Sequence, residues 1–428
     1  MLCYVVLLVS FLSVCESSEF CSVNPGEVNN DCLETSKITA RPRFLFYDVN
    51  PPEGFNLRRD VYMRLAVMIR KLSEKADWHL VLPPWPKLYH WRSRVSQERL
   101  PWSLFFDLES LQAFAPVMDL QQYITEYGVS SIEQVYILQH FKDDWAAGRF
   151  EEKQSIGICN ETPPYVLEED GRFSGYFWGF KNLTASNMAC LSFHGRAFQL
   201  AKFLSESQIR TVMVDHAEVV LHESYGDKEY WQARRSMRFS KKLVEKAVKF
   251  RQQVLNSSDE ADKTVRPEDW RKEKGGRTAL GGPYLCVHMR RRDFLWGRPK
   301  EVPSLPSVAQ QLRYHLSKLQ LNVVFIATDA PDKEFQEIQS ALSDYTVVKY
   351  IASEDELLEI KDGGVAIVEQ IICSHARFFI GTYESTFSFR IQEEREIMGF
   401  KPDTTFNSLC GDGSNGSCKQ PSRWLAVF

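Results

Sequence analysis

The chain reads as an α/β protein made of two Rossmann-like halves that face each other across a cleft. Three observations carry that reading. Apolar runs of strand length alternate with stretches of helical period near the N-terminus and throughout the C-terminal part. A polar, charged tract without clear period, Asn256 to Arg277, lies between the two regions and suits a connection. The segments that follow the strands carry glycine, proline and charge, and open α/β sheets hold ligands at their carboxyl edge. The expected organisation is residues 1–18 as a signal peptide, 19–255 as the N-terminal half and 256–428 as the C-terminal half.

Taken in order, Leu2 to Cys15 is an apolar run too short to span a bilayer. It suits the h-region of a cleaved signal, with Ser13 and Cys15 as small residues at a cleavage site. No Lys or Arg precedes it, which leaves a short signal-anchor as the alternative. Arg43 to Tyr47 is a strand and Asp48 to Asn56 a loop. A helix follows, in which Val61, Leu65, Met68 and Leu72 form one apolar stripe. His79 to Leu82 is the next strand, stopped by Pro83-Pro84, so this is the opening of a βαβ unit. From Pro84 to about Phe180 the chain is aromatic-rich and weakly periodic. Trp85, Tyr89, Trp91, Trp102, Phe105 and Phe106 either fill a core or line a cleft, core being the commoner fate. Thr211 to Val214 is a strand, and Lys228 to Leu255 reads as one long helix.

The second half alternates more cleanly. Strands are expected at Tyr284–Val287, Val323–Ala327, Tyr345–Tyr350 and Arg377–Ile380. Helices fall at Val308–Leu319, Lys333–Leu342 and Val365–His375, and Gly381 to Phe387 leads into a last one.

Composition narrows the function. With 428 residues, 44% of them hydrophobic and a net charge of −4, the chain has no basic field to hold nucleic acid or an anionic membrane surface. Cys410 and Cys418 bracket a polar loop and are expected to pair, followed by Cys159–Cys190 and Cys21–Cys32. Cys286 and Cys373 sit in apolar stretches and are expected as buried free thiols. No CxxC occurs, which argues against a zinc site. Sequons at Asn160, Asn182, Asn256 and Asn415 fit glycosylation in the secretory pathway.

Three segments at strand ends carry suitable chemistry. Glu53 stands beside a glycine on a loop stiffened by Pro51 and Pro52; it is either a general base or a surface acid favourable to a helix N-terminus. His288 and Arg290 share one face of a strand end, as a phosphate fork with an imidazole or as solvated charge. Ser385 and Thr386 open a helix, where capping and phosphate binding are compatible. There is no Walker sequence, no GxSxG and no Asp-x-Asp. The one GxGxxG, Gly411 to Gly416, lies in the polar loop between two cysteines and opens no helix.

The tract His288-Met-Arg290-Arg-Arg-Asp293 resembles the HxRxxD motif of the fucosyltransferase superfamily. Asn50-Pro-Pro-Glu-Gly-Phe-Asn56, Lys361-Asp-Gly-Gly364 and Ser385-Thr-Phe-Ser-Phe-Arg390 are similar, more narrowly, to the protein O-fucosyltransferases that modify thrombospondin type 1 repeats. Ala279 to Tyr284 and Gly226 to Trp231 extend the likeness, which runs from about Arg43 to the C-terminus. The resemblance implies a GT-B fold and an inverting transfer from GDP-fucose that needs neither metal nor another cofactor. It further implies folded repeats as acceptors and the endoplasmic reticulum lumen as the place. It makes Glu53 the base and Arg290 the group that stabilises the leaving diphosphate. Pro52, Gly54, Phe55, Asn56, His288, Met289, Ser385, Thr386 and Phe387 line the donor site, and Asp293 stands on the acceptor side. Glu369 occupies the place of a family aspartate that meets guanine, and Cys286 that of a usual glycine. A non-catalytic chaperone, or an enzyme of this fold with another donor or acceptor, are the alternatives.

Overall fold

Strand β1 (Arg43–Tyr47) is the point from which the first half is built, and the computed structural model describes residues 41–428 apart from 129–130, 143–149 and 415–417. It is followed by β2 (Trp78–Leu82), β3 (Val117–Asp119), β4 (Ser131–Gln139), β5 (Lys153–Gly157), β6 (Val166–Leu167), β7 (Phe173–Ser174), β8 (Thr184–His194) and β9 (Thr211–Asp215). The sheet order is β3-β2-β1-β9-β4-β8-β7-β6, with β5 also on β8. From β3 to β8 neighbouring strands run parallel; β5, β7 and β6 add an antiparallel margin. The second sheet holds β10 (Gly282–Met289), β11 (Val323–Thr328), β12 (Thr346–Val348), β13 (Ala376–Gly381) and β14 (Asn407–Ser408). All are parallel, in the order β12-β11-β10-β13-β14. The chain runs outward one way from β10 and then the other, so the carboxyl ends of β10 and β13 flank the crevice where such sheets hold ligands.

Five helices position the site: α1 (Phe55–Ser73), α2 (Lys228–Ser236), α3 (Lys241–Val254), α4 (Glu354–Ser374) and α5 (Thr386–Met398). The stripe Val61, Leu65, Met68 and Leu72 of α1 is almost wholly buried, as its spacing requires. Trp85, Trp91, Trp102, Phe105 and Phe106 join the same core, while Tyr89 is exposed at the cleft. The stretch expected as one long helix is two. Between α2 and α3 the chain straightens so that Phe239 bridges Phe106, and the backbone N–H of Ser240 donates to Phe105 O at 3.0 Å. The aromatic segment thus competes successfully with helix continuation.

Helix α4 starts earlier than its apolar period suggests. Ser353 and Glu356 form a reciprocal capping box at its start, and Lys361 adopts φ 61°, ψ 176°, which breaks the helix into two pieces. The second piece begins at the cleft. Gly363 is required there, because a Cβ would lie 2.7 Å from Phe105 and 2.8 Å from Trp91. Ser353→Ala is expected to lower stability by about 1 kcal/mol, the usual worth of an N-cap, read as a shift in denaturation midpoint without a change in slope.

Helix α5 is charged yet interior. Glu393 and Arg395 are fully buried, and Arg390, Glu394 and Glu396 nearly so. Their partners come largely from the first half and the connection. Arg234 of α2 pairs with Glu393 and, at 2.8 Å, with Glu394; Tyr230 donates to Glu393 at 2.6 Å; Arg266 reaches Glu394 at 2.6 Å. From α1, the fully buried Arg59 donates to Gln370 Oε1 of α4 at 2.8 Å.

Disulfides join Cys159 to Cys190 and Cys410 to Cys418. Cys286 and Cys373 are not free thiols as expected: they form a third disulfide. Cys286 lies on the central strand β10 and Cys373 near the end of α4, which packs on that strand, and their Cα atoms are 5.2 Å apart. Nothing in two apolar stretches so far apart in sequence signals that approach. Cys21–Cys32, the signal peptide and Asn415 lie outside the described residues. Asn160, Asn182 and Asn256 are exposed. No described helix is long and apolar enough to cross a membrane.

Candidate active site

A cleft of about 670 Å³ lies between the halves. Its first wall is the loop after β1, which Arg58 braces from behind. That guanidinium donates to Val49 O at 3.0 Å, Asn50 O at 3.1 Å and Glu53 O at 3.1 Å, and meets Asp48 at 3.3 Å. The N–H of Asn50 donates to Glu218 at 3.1 Å. So held, Pro52, Glu53, Gly54, Phe55 and Asn56 all line the cleft. Burial, reinforced by Glu218 and opposed by Arg58, raises the Glu53 carboxyl above the ordinary glutamate range. The Phe55 ring turns into the aromatic core, against Trp85, Trp91, Phe105 and Phe106. Asn56 Oδ1 accepts from Gln370 at 3.0 Å and Arg59 at 3.2 Å, so its side chain is fixed by both halves.

The second wall begins where β10 ends. His288 is buried, its ring stacked on Phe387 with centroids 4.3 Å apart and Nδ1 2.8 Å from Ser388 Oγ. Burial first, then Arg290, pushes its pKa down to about 3, so the imidazole is neutral at physiological pH. Arg290 donates its backbone N–H to Thr382 Oγ1 at 2.9 Å. Its guanidinium meets Asp329 at 2.9 Å, Asp293 at 2.6 Å and His90 Nδ1 at 3.1 Å. Met289, expected at the donor site, does not line the cleft with its side chain. The alternation that brings His288 and Arg290 to the cleft turns Met289 into the core beside Leu285 and Val287.

Helix α5 supplies the third element. Glu384 takes φ 59° and pairs with Arg298, and Ser385 occupies the N-cap without a side-chain capping bond. Ser385, Thr386 and Phe387 line the cleft, where the first turn of a helix presents N–H groups to anions. On α4, Asp362, Val365, Ala366 and Glu369 form one cleft-facing side. Burial, with Asp329 near and Lys349 opposing, pushes Glu369 up to about 8.

The structure therefore brings every expected cleft residue together except Met289, with Asp293 on the second-half wall against Arg290. Of the aromatics left between core and cleft, Tyr89 and Trp91 line the cleft; sequence reasoning missed His90, Arg92, Asp329 and Asp362, which line it too. Asp329 was findable, since it follows β11 at the same carboxyl edge. The other three become neighbours only through tertiary folding.

Two Rossmann-like sheets facing one cleft form the GT-B arrangement, and the class this defines is a glycosyltransferase. A family model, GDP-fucose protein O-fucosyltransferase, matches residues 44–398, and the chain belongs to that family. It is 47% identical over 407 residues to GDP-fucose protein O-fucosyltransferase 2 of Homo sapiens, covering 94% of each chain. To the protein of the same name from Caenorhabditis elegans it is 42% identical over 429 residues, covering 99% of this chain and 98% of that one. The crystal structure of POFUT1 in complex with GDP-fucose shares the fold, with a TM-score of 0.55 at 16% identity, over 88% of this chain and 99% of that one.

Proposed function

We propose that this enzyme transfers fucose from GDP-fucose to a Ser or Thr hydroxyl of a folded thrombospondin type 1 repeat, with inversion and without a metal ion, in the endoplasmic reticulum lumen. The observation that carries the reading is that a carboxylate of raised pKa, Glu53, and the guanidinium of Arg290 line one cleft from opposite halves. In a single displacement the acceptor oxygen bonds to the anomeric carbon as the bond from that carbon to the phosphate oxygen breaks. Glu53 takes the hydroxyl proton, and the electron pair leaves on the β-phosphate, where Arg290 and the N-terminus of α5 face the developing charge. Neutral His288 and the Ser385–Phe387 turn hold the nucleotide, and Glu369 meets the base. The acceptor class is supported by the resemblance of Asn50–Asn56 and Ser385–Arg390 to enzymes that modify these repeats. Three disulfides and three exposed sequons support an oxidising, secretory location.

Donor identity is tested by thermal shift. GDP and GDP-fucose at about tenfold their dissociation constants are expected to add ~1.4 kcal/mol of stability, in EDTA as in its absence, and UDP-sugars none. Loss of the GDP shift in EDTA would overturn the metal-free reading. Stabilisation by a UDP-sugar alone would overturn the donor.

A further inference from the structure

The geometry points to His90 as a positioning residue: by accepting a hydrogen bond from the Arg290 guanidinium, it lets the half that carries the base set the aim of the arginine on the other half. This rests on the role given above to Arg290. That guanidinium meets Asp293 and Asp329 and lies over the Phe294 ring in its own half, and meets His90 Nδ1, at 3.1 Å, from the opposite one. A guanidinium has donors only, so Nδ1 must be the unprotonated nitrogen and the proton of a neutral ring sits on Nε2. Nε2 lies 3.3 Å from the place a Cβ on Gly54 would occupy, so the other edge of the imidazole abuts the loop that carries Glu53. One ring therefore touches both the base loop and the leaving-group arginine. Tyr89 packs on it, with ring centroids 3.7 Å apart. Burial and the neighbouring Arg290, with Arg92 adding and Asp293 opposing, bring its pKa down to about 4, which keeps the acceptor lone pair available at neutral pH. The HxRxxD resemblance gives no hint of this contact, because the two residues are 200 positions apart.

The test compares His90→Phe, which keeps a flat ring and removes the acceptor, with His90→Asn, whose carbonyl oxygen stands close to where Nδ1 was. Full-length protein is assayed for transfer from GDP-fucose to a folded repeat, with GDP affinity and melting temperature measured on the same preparations. H90F is expected to lose about 10- to 100-fold in kcat, the scale of a misaimed electrostatic group, while GDP affinity stays near wild type; H90N is expected to regain most of the rate. On an Arg290→Lys background the H90F effect is expected to shrink, since the contact it removes is already altered. His90→Ala repeats the comparison if the phenylalanine variant melts early. Wild-type kcat in H90F, H90N as slow as H90F at equal stability, or fully additive effects with Arg290→Lys would each overturn the proposal. A wild-type enzyme inactive with GDP-fucose would overturn the donor reading and this proposal with it; an active wild type alongside an unaffected H90F overturns this one alone.

Discussion

Glu53→Gln is expected to slow fucosyl transfer to a folded repeat by about 10²–10⁴, the range associated with loss of a general base. The substitution keeps the shape of the side chain, and the Arg58 brace grips the loop through backbone carbonyls and Asp48, so the loop should hold its place. GDP affinity is expected to change little, because a base aimed at the acceptor has no necessary contact with the diphosphate. The pH profile supplies an independent sign. Burial raises the Glu53 carboxyl above 4.5, so the basic form is lost, and the rate falls, as pH drops through that raised value. The residual rate of the glutamine variant should lack that acid limb. A folded variant with a wild-type rate, or one that retains the limb, would remove Glu53 from the mechanism.

Arg290→Lys is expected to reduce kcat by roughly 10²-fold or more, by analogy with removing one preorganised electrostatic donor. Charge is conserved, so the loss reports geometry. The native guanidinium is planar, with Nη1 against Asp329 and Nη2 against both Asp293 and His90, while its backbone is pinned by Thr382. An ammonium cannot reproduce that fork or offer phosphate two parallel bonds. Steady-state transfer kinetics with a GDP titration separate the possibilities. A fall in GDP affinity with kcat intact would make Arg290 a ground-state anchor, and near-normal kinetics would show that some other cation receives the leaving group.

How legible this protein is depends on where its constraints lie. The second sheet could be read because β10, β11 and β13 are buried parallel strands, which appear as short apolar runs between periodic helices. The three site segments were legible for the same reason, since a strand end in an α/β sheet is where a ligand goes. The middle of the first half was not. Strand β8 mixes exposed Ser186 and Asn187 with buried Leu191 and Phe193, and its partner β4 follows an aromatic segment whose packing overrides local period. Helix α5 was found, but its environment was not: Glu393-Glu-Arg-Glu396 looks like a solvated face until its countercharges arrive from elsewhere. Cys286–Cys373 and His90–Arg290 are contacts between distant segments, and no local pattern encodes them. For Met289 the reverse holds, since alternation along the strand already turns its side chain away from the face shared by His288 and Arg290.

The ionic interior of α5 has a consequence for how the chain can mature during synthesis. Arg59 and Arg234 belong to the part made first, while Gln370 and Glu393, which accept hydrogen bonds from them in the interior, follow 311 and 159 residues later. Domains commonly fold as they emerge, N-terminal part first. Here that order is obstructed, because a guanidinium buried without its partner carries a penalty of several kcal/mol. The nascent first half is therefore expected to leave these arginines in water, with the surface around α1 and α2 unsealed, until α4 and α5 have been made. Sealing of the first half thus waits on two helices of the second.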